Sequence, residues 1–206
     1  MHGSSVWSRS RAAAIVRSLL TPLSTRFKRA SRDSAYIPSP ALIAWGAEVR
    51  VIGPEPAARE WLPLEYFYVT PKTESQGITV LKPGQLVSHI RLPSPERQVS
   101  GTYEVLQMQG LDWPLAAAAA TVDLDGELVR ESRIVLGHVA PMPWVAHEAS
   151  QSLVGLPVNE ETAGRAGDIA VASATPLSGN AYKVQLARTA VKRAVLKAVN
   201  KLEGGL

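Results

Sequence analysis

The sequence predicts an α+β fold in which a three-stranded antiparallel sheet packs on a layer of three helices. Three observations carry this expectation. Residues 102–109, 115–124 and 128–139 form strand-length segments that alternate or run apolar, and Asp125-Gly126 between the last two is a hairpin dipeptide. From Val145 onward the apolar period lengthens from two to about four, the spacing of a helix face. Hydrophobic residues at 46% with charged residues at 19% make a globular composition, which excludes a mainly disordered, collagenous or coiled-coil chain.

Taken in order, residues 1–32 hold Arg9, Arg11, Arg17, Arg26, Lys28, Arg29 and Arg32 and no acid. The 22 basic residues less these seven leave 15 against 18 acidic ones, a net of −3. The formal charge of +4 therefore belongs to this stretch, and no nucleic-acid partner is expected for the rest of the chain. Its Ser-, Arg- and Ala-rich composition is that of a transit peptide, but a disordered extension or upstream sequence translated from a misplaced start is the simpler reading. Residues 12–20 are interrupted by Arg17 and too short to span a bilayer. A basic, disordered tail is expected over residues 1–34.

After Pro38 and Pro40, residues 48–52 alternate as a strand, Gly53-Pro-Glu-Pro56 is a turn, and residues 61–69 return as a second extended run. Residues 70–78 read as an exposed loop. A Lys82-Pro-Gly84 turn leads to a further alternating segment, Leu86-Val87 and Ile90-Arg-Leu92, closed by Pro93 and Pro95.

In the second half, Tyr103, Val105 and Gln107 share one strand face, and Ile134, Leu136 and His138 another. The prolines of residues 140–144 mark an exit that cannot continue a sheet. The first helix carries Val145, Ala149 and Leu153 and stops at Gly155. Asn159 caps the second, Glu160 and Glu161 favour its positive end, and Ala163, Ala166, Ile169, Ala170 and Ala174 form its stripe before Pro176. The third spans about residues 180–202, with Tyr182, Leu186, Ala190, Ala194 and Ala198 stepping by four. Val191, Val195 and Leu202 flank that stripe, and Lys183, Lys192, Arg193, Lys197 and Lys201 fall mostly off it.

The absence of cysteine excludes disulfides, thiolate metal sites and a cysteine nucleophile. The four histidines, at 2, 89, 138 and 147, form no metal-binding pair. Asp123-Leu-Asp-Gly126 has no closing glutamate at calcium-loop spacing and reads as a hairpin. No G-x-S-x-G elbow presents a serine. In Asn180-Ala-Tyr-Lys183 the asparagine reads as a helix cap and the tyrosine as a core anchor. Trp113 and Trp144 are expected to fill the sheet–helix interface or a subunit contact.

One segment, Val80-Leu-Lys-Pro-Gly-Gln-Leu-Val-Ser-His-Ile-Arg-Leu-Pro93, resembles the link after the FAD domain in the flavoprotein subunits of molybdenum hydroxylases. These are the medium subunits of carbon monoxide dehydrogenase, xanthine dehydrogenase and aldehyde oxidase type enzymes. Four more stretches resemble the family in the same order. They are Gly110-Leu-Asp-Trp-Pro-Leu115, Arg133-Ile-Val-Leu-Gly-His-Val-Ala-Pro-Met-Pro-Trp144, Leu153-Val-Gly-Leu-Pro157 and Pro176-Leu-Ser-Gly-Asn-Ala-Tyr-Lys-Val-Gln-Leu186. Upstream, Pro40-Ala-Leu-Ile-Ala-Trp-Gly-Ala-Glu-Val-Arg-Val51 and Leu62-Pro-Leu-Glu-Tyr-Phe67 look like the last strands of its FAD domain.

The resemblance implies three parts: the tail 1–34, a C-terminal remnant of an FAD-binding domain with its linker over 35–95, and the family's C-terminal domain over 96–206. It implies a cytoplasmic oxidoreductase subunit without a membrane span. Its partners would be a molybdopterin-binding large subunit and an iron–sulfur small subunit that pass electrons to FAD. Leu86 and Val87 are the candidate residues beside the flavin ring. The family also places a lysine near the position of Glu104 or Val105, and this sequence has none there. The glycine-rich loops that hold the FAD pyrophosphate are missing too, since no Gly-Gly pair precedes Gly204-Gly205. The chain alone is therefore expected to bind FAD weakly or not at all, and the alternative is a truncated, non-catalytic remnant or docking domain.

Overall fold

A computed structural model describes residues 38–55, 58–73, 76–94, 97–108 and 113–202. The expected tail and part of the Gly110–Leu115 motif lie outside them. The architecture is α+β, as the sequence predicts, with two antiparallel sheets where one was expected in full.

Helix α1 (Ser39–Ala44) takes Pro40 in its first turn, where the missing N–H has no helical partner to lose. Strands β1 (Glu48–Ile52), β2 (Arg59–Pro63) and β3 (Leu86–Arg91) form a small sheet in the order β2-β1-β3. Val49 and Val51 point inward from β1 and are buried, while Glu48, Arg50 and Ile52 alternate outward. The extended run expected over 61–69 breaks at Pro63, which fixes φ and has no N–H to donate. The chain then turns through a short 3-10 segment (Leu64–Tyr66) that buries Leu64, whose N–H donates to Ala47 O at 2.8 Å.

The larger sheet contains β4 (Gln98–Val105), β5 (Ala116–Asp125), β6 (Leu128–Gly137) and β7 (Trp144–Val145), in that order. It thus has four strands, not three. The expectation that residues 140–144 leave the sheet for good is corrected: beyond Pro143, Trp144 pairs with Leu136 and Val145 with Val135. The prolines occupy the connection, and the returning strand lies at an edge, where only one side needs a ladder. Gln107 falls beyond β4 and is exposed. His138 adopts φ 63°, which ends β6 and takes it off the face of Ile134 and Leu136.

Helices α2 (His147–Gln151), α3 (Glu160–Val171) and α4 (Tyr182–Ala198) cover one face of this sheet. Val145 belongs to β7 and not to the first helix, whereas Ala149 and Leu153 are buried as expected. Asn159 caps α3 by accepting from the N–H groups of Glu161 and Thr162, and Thr162 closes the box by accepting from Asn159 N–H. Ala174 lies past the end of α3, and its side chain is exposed. Along α4, Ala190, Val191, Ala194 and Val195 are fully buried. Tyr182, expected as a core anchor, is 54% exposed at the first residue of the helix. Asn180 does not cap α4, because its side-chain oxygen accepts from Leu177 N–H at 2.7 Å.

The layers meet because β5 is built of small residues. Ala116, Ala118, Ala120 and Val122 face the helices, while Ala119 joins Val135 in a second cluster with α1, β1 and Leu64. Thr121 donates to Ala44 O at 2.7 Å and ties α1 to this second face. Gly101 on β4 lets α4 come close: a Cβ there would lie 2.4 Å from both Ala194 O and Ala198 N. Among the described residues no helix is long and apolar enough to cross a membrane.

Candidate functional site

The two residues singled out beside the flavin ring sit next to each other on β3 and face opposite ways. Val87 lies opposite Val51 and packs, half-buried, against the second cluster. Leu86 lies opposite Ile52 on the outward face and is 53% exposed. Residues opposite one another in an antiparallel pair share a face, so Ile52 and Leu86 make a short apolar wall while Val87 serves the interior. Only Leu86 of the two is available to a ligand on this surface.

A register shift in the pairing follows. Between Arg50 and Val51 the β1–β3 ladder slips by one residue, leaving Ser88 extra, and its hydroxyl donates to Arg50 O at 3.2 Å. Beyond the bulge, Trp61, Arg50 and His89 stand side by side across three strands. The Arg91 guanidinium lies 4.3 Å from the Trp61 ring centroid, and its Nε donates to Glu48 Oε2 at 2.7 Å. The outward face therefore runs from an apolar end, Ile52 and Leu86, to an aromatic and charged end that is internally paired.

At the apolar end two turns meet. Gly53 (φ 89°) and Gly84 (φ 82°) both occupy the left-handed region, where a side chain is strained. A Cβ on Gly53 would lie 2.4 Å from Gly84 O, and one on Gly84 would lie 3.0 Å from Pro54 Cβ. Gly53 N–H already donates to Ala58 O at 3.2 Å. These glycines close the turns on each other and offer no open row of N–H groups to a pyrophosphate. These two turns therefore provide no cradle for a pyrophosphate. Glu104 is exposed on β4, in the other sheet, opposite Ala117.

Trp113 and Trp144, expected to fill the sheet–helix interface or a subunit contact, are 51% and 46% exposed, which removes the first alternative. Sequence reading missed two long-range polar contacts, one within the small sheet's side and one that joins this side to the larger sheet. Ser39 Oγ and Tyr68 Oη share a hydrogen bond of 2.5 Å, and burial raises the Tyr68 pKa above its ordinary value. Glu65, in the 3-10 segment, forms an ion pair with Arg133 of β6, whose pKa burial lowers. Sixty-eight positions separate Glu65 from Arg133, and no local pattern announces the pair. Among the described residues no group of three or more acidic or histidine side chains could hold a metal ion.

Comparison with known proteins bears on the family and the fold. Residues 101–198 match the CO dehydrogenase flavoprotein C-terminal domain. The chain is 31% identical over 168 residues to the carbon monoxide dehydrogenase medium chain of Afipia carboxidovorans, covering 77% of this chain and 54% of that protein. It is 29% identical over 152 residues to the aldehyde oxidoreductase FAD-binding subunit PaoB of Escherichia coli, covering 74% and 44%. Among solved structures, reconstituted CO dehydrogenase from Oligotropha carboxidovorans superposes with a TM-score of 0.70 at 26% identity, over 83% of this chain and 59% of that one. The chain spans about half the length of the curated relatives it matches. Residues 101–198 are a CO dehydrogenase flavoprotein C-terminal domain, and the chain corresponds to the C-terminal part of the FAD-binding subunit of molybdenum hydroxylases.

Proposed function

We propose that this chain is the C-terminal portion of a flavoprotein subunit in a molybdenum hydroxylase-type oxidoreductase, and that it supplies the ring-side wall of a flavin site whose phosphate grip lies on residues these 206 do not include. The division into a tail over 1–34, a remnant of an FAD-binding domain with its linker over 35–95 and a C-terminal domain over 96–206 belongs to the same proposal. The observation that carries it is the outward face of β3: Leu86 stands exposed beside Ile52 on a sheet whose β2 and β3 are both edge strands. An apolar wall flanked by open strand edges is a surface that calls for cover. FAD, when bound, would accept electrons that a molybdopterin-binding large subunit and an iron–sulfur small subunit deliver, and a chain without cysteine holds no such cluster itself.

The test separates this reading from a docking domain without flavin. Purified alone, the 206-residue polypeptide is expected to be colourless, because one apolar wall offers too few contacts to offset the freedom FAD loses on binding. Co-expressed with the glycine-rich N-terminal half of a CO dehydrogenase medium chain, it is expected to form a yellow complex with the flavin absorption bands. Leu86→Asp should strip flavin from that complex while the melting temperature of the chain stays put. Val87→Asp should weaken flavin retention more than Glu104→Ala. Stoichiometric FAD on the chain alone would place the pocket elsewhere. A stable but colourless complex would favour the docking domain.

A further inference from the structure

A second concavity, unrelated to β3, opens at the end of the large sheet between the exit of β6, the last turn of α3 and the first turns of α4. Its volume is about 310 Å³. Leu136 and Ala187, 1% and 4% exposed, lie deepest, Val171 and Val184 contribute apolar surface, and Trp144, 46% exposed, stands at the lip. Ser173, Thr175 and Asn180 bring polar groups to this mostly apolar lining, and among the described residues Lys183 is its one cation.

We propose that this cleft binds a small aromatic monocarboxylate, with the ring against the apolar walls and the carboxylate on the Lys183 ammonium. The volume is at the lower end of small-molecule sites, enough for a single-ring acid and too small for a nucleotide. Lys183 Nζ makes one long contact, donating to His138 O at 3.4 Å, and an ammonium has three donors. No carboxylate of the described residues pairs with it: the acids in ion pairs are Glu48, Asp123, Glu65, Asp168 and Glu160, each with a different cation. Asn180, the neighbouring amide, is engaged by Leu177 N–H. A single positive charge in a mostly apolar surround favours an anion of one charge with an apolar body. A phosphate, with about two charges, would call for a second cation, and Lys183 is the one cation among the described lining residues; a cationic ligand would be repelled. The same surface would serve the lip: Trp144 offers its indole to the ring.

The experiment titrates the full 206-residue chain with benzoate and, separately, with benzyl alcohol, followed by amide and indole shifts in NMR and by calorimetry. Saturable one-to-one binding of benzoate is expected, with a Kd of about 1 mM or below for so small a ligand. Shifts should concentrate on Leu136, Trp144, Val184 and Ala187. Benzyl alcohol, which keeps the ring and loses the charge, should bind at least about tenfold more weakly, and Lys183→Met should cost benzoate a similar factor. Lys197→Met, on the exposed side of α4, should change nothing. Equal affinity for the two ligands, indifference to Lys183→Met in a variant of unchanged melting temperature, or no saturation by about 10 mM benzoate would each overturn the proposal. The two-ligand comparison needs no variant, so a Lys183→Met chain that failed to fold would not shelter it. None of these readouts involves flavin, and the outcome is independent of the reading of β3.

Discussion

Strand β5 and strand β3 follow the same rule of alternation and end in opposite situations. In β5 the first eight residues are all buried, because helices cover one face and α1 with the second cluster covers the other. In β3 four of six residues are exposed and none is fully buried. The difference is one of partners and not of strand-forming character: β3 is rich in Leu, Val and Ile, whereas β5 opens with five alanines, poor strand formers by propensity. Small residues on a central strand let helices approach on one side and α1 on the other, so burial comes from neighbours. Larger apolar residues on an edge strand stay exposed until something covers them. The helix-covered half of the molecule is closed by its own chain, whereas the outer face of the small sheet stays open among the described residues.

The sharpest way to break this comparison is to disturb the closest approach in the closed half. Gly101→Val would drive side-chain atoms into the backbone of α4 at Ala194 and Ala198. Neither strand nor helix can yield without losing the core beneath, so a loss of about 3 kcal/mol or more is expected in denaturant unfolding. Leu86→Ala, which removes a larger side chain from the open sheet, should cost under about 1 kcal/mol, since the group is already half in water. Similar costs for the two would mean that the halves are equally closed.

A smaller effect tests the joint between them. Glu65 and Arg133 pair across the boundary through Oε2 and Nη2, with side-chain exposures of 15% and 33%, and the buried Arg133 Nε has no hydrogen-bond partner among the described residues. Arg133→Met strands a poorly solvated carboxylate, and a loss of about 1–3 kcal/mol is expected. Replacing both by methionine should recover most of it, because the pair's attraction offsets little more than its own desolvation. A double variant as damaged as the single one in a double-mutant cycle would show that the pair holds the small sheet in place rather than merely balancing its charges.

What the sequence made legible is what neighbours in sequence decide. The capping box of α3, the Asp125-Gly126 turn and the stripe of α4 through Ala190, Val191, Ala194 and Val195 all follow from spacings of a few residues. The rest was settled at longer range. Leu196 is buried although it lies off the predicted stripe, because α4 is held between the sheet and α3. Two residues suffice for β7, too few for any periodicity, and its pairing is dictated by where β6 already lies. By resemblance Val87, or else Leu86, lies beside the flavin ring, and alternation alone does not say which of the two faces in. Only the position of the second cluster decides which of them faces in. The bulge after Val87 compounds this by reversing the alternation, so that Leu86 and His89 both point outward.

The smallest expected effect concerns the outer surface of the closed half. Gly167 of α3 lets the helices approach, with a Cβ there lying 2.7 Å from Arg188 O, and the next residue, Asp168, meets the Arg188 side chain. Both Arg188 Nε and Nη2 donate to the carboxylate, Nη2 to Oδ2 at 3.1 Å. The hydrogen bond from Arg188 holds the Asp168 pKa below its ordinary value of 3.8 against an opposing desolvation, and the Arg188 charge adds a smaller lowering. A depressed folded-state pKa means that the unfolded chain binds the proton more readily. The pair therefore stabilises the fold at pH values above 3.8, and that contribution drains away as the pH falls from there through the folded value. The pair is solvent-exposed, so the gain is modest and screened by salt. In thermal melts taken from neutral pH downward at low ionic strength, Asp168→Asn should melt slightly below the parent at neutral pH, and the two curves should converge in acid. A gap that stays constant with pH would assign the loss to packing between α3 and α4, and the outer surface would then contribute to closure as the core does.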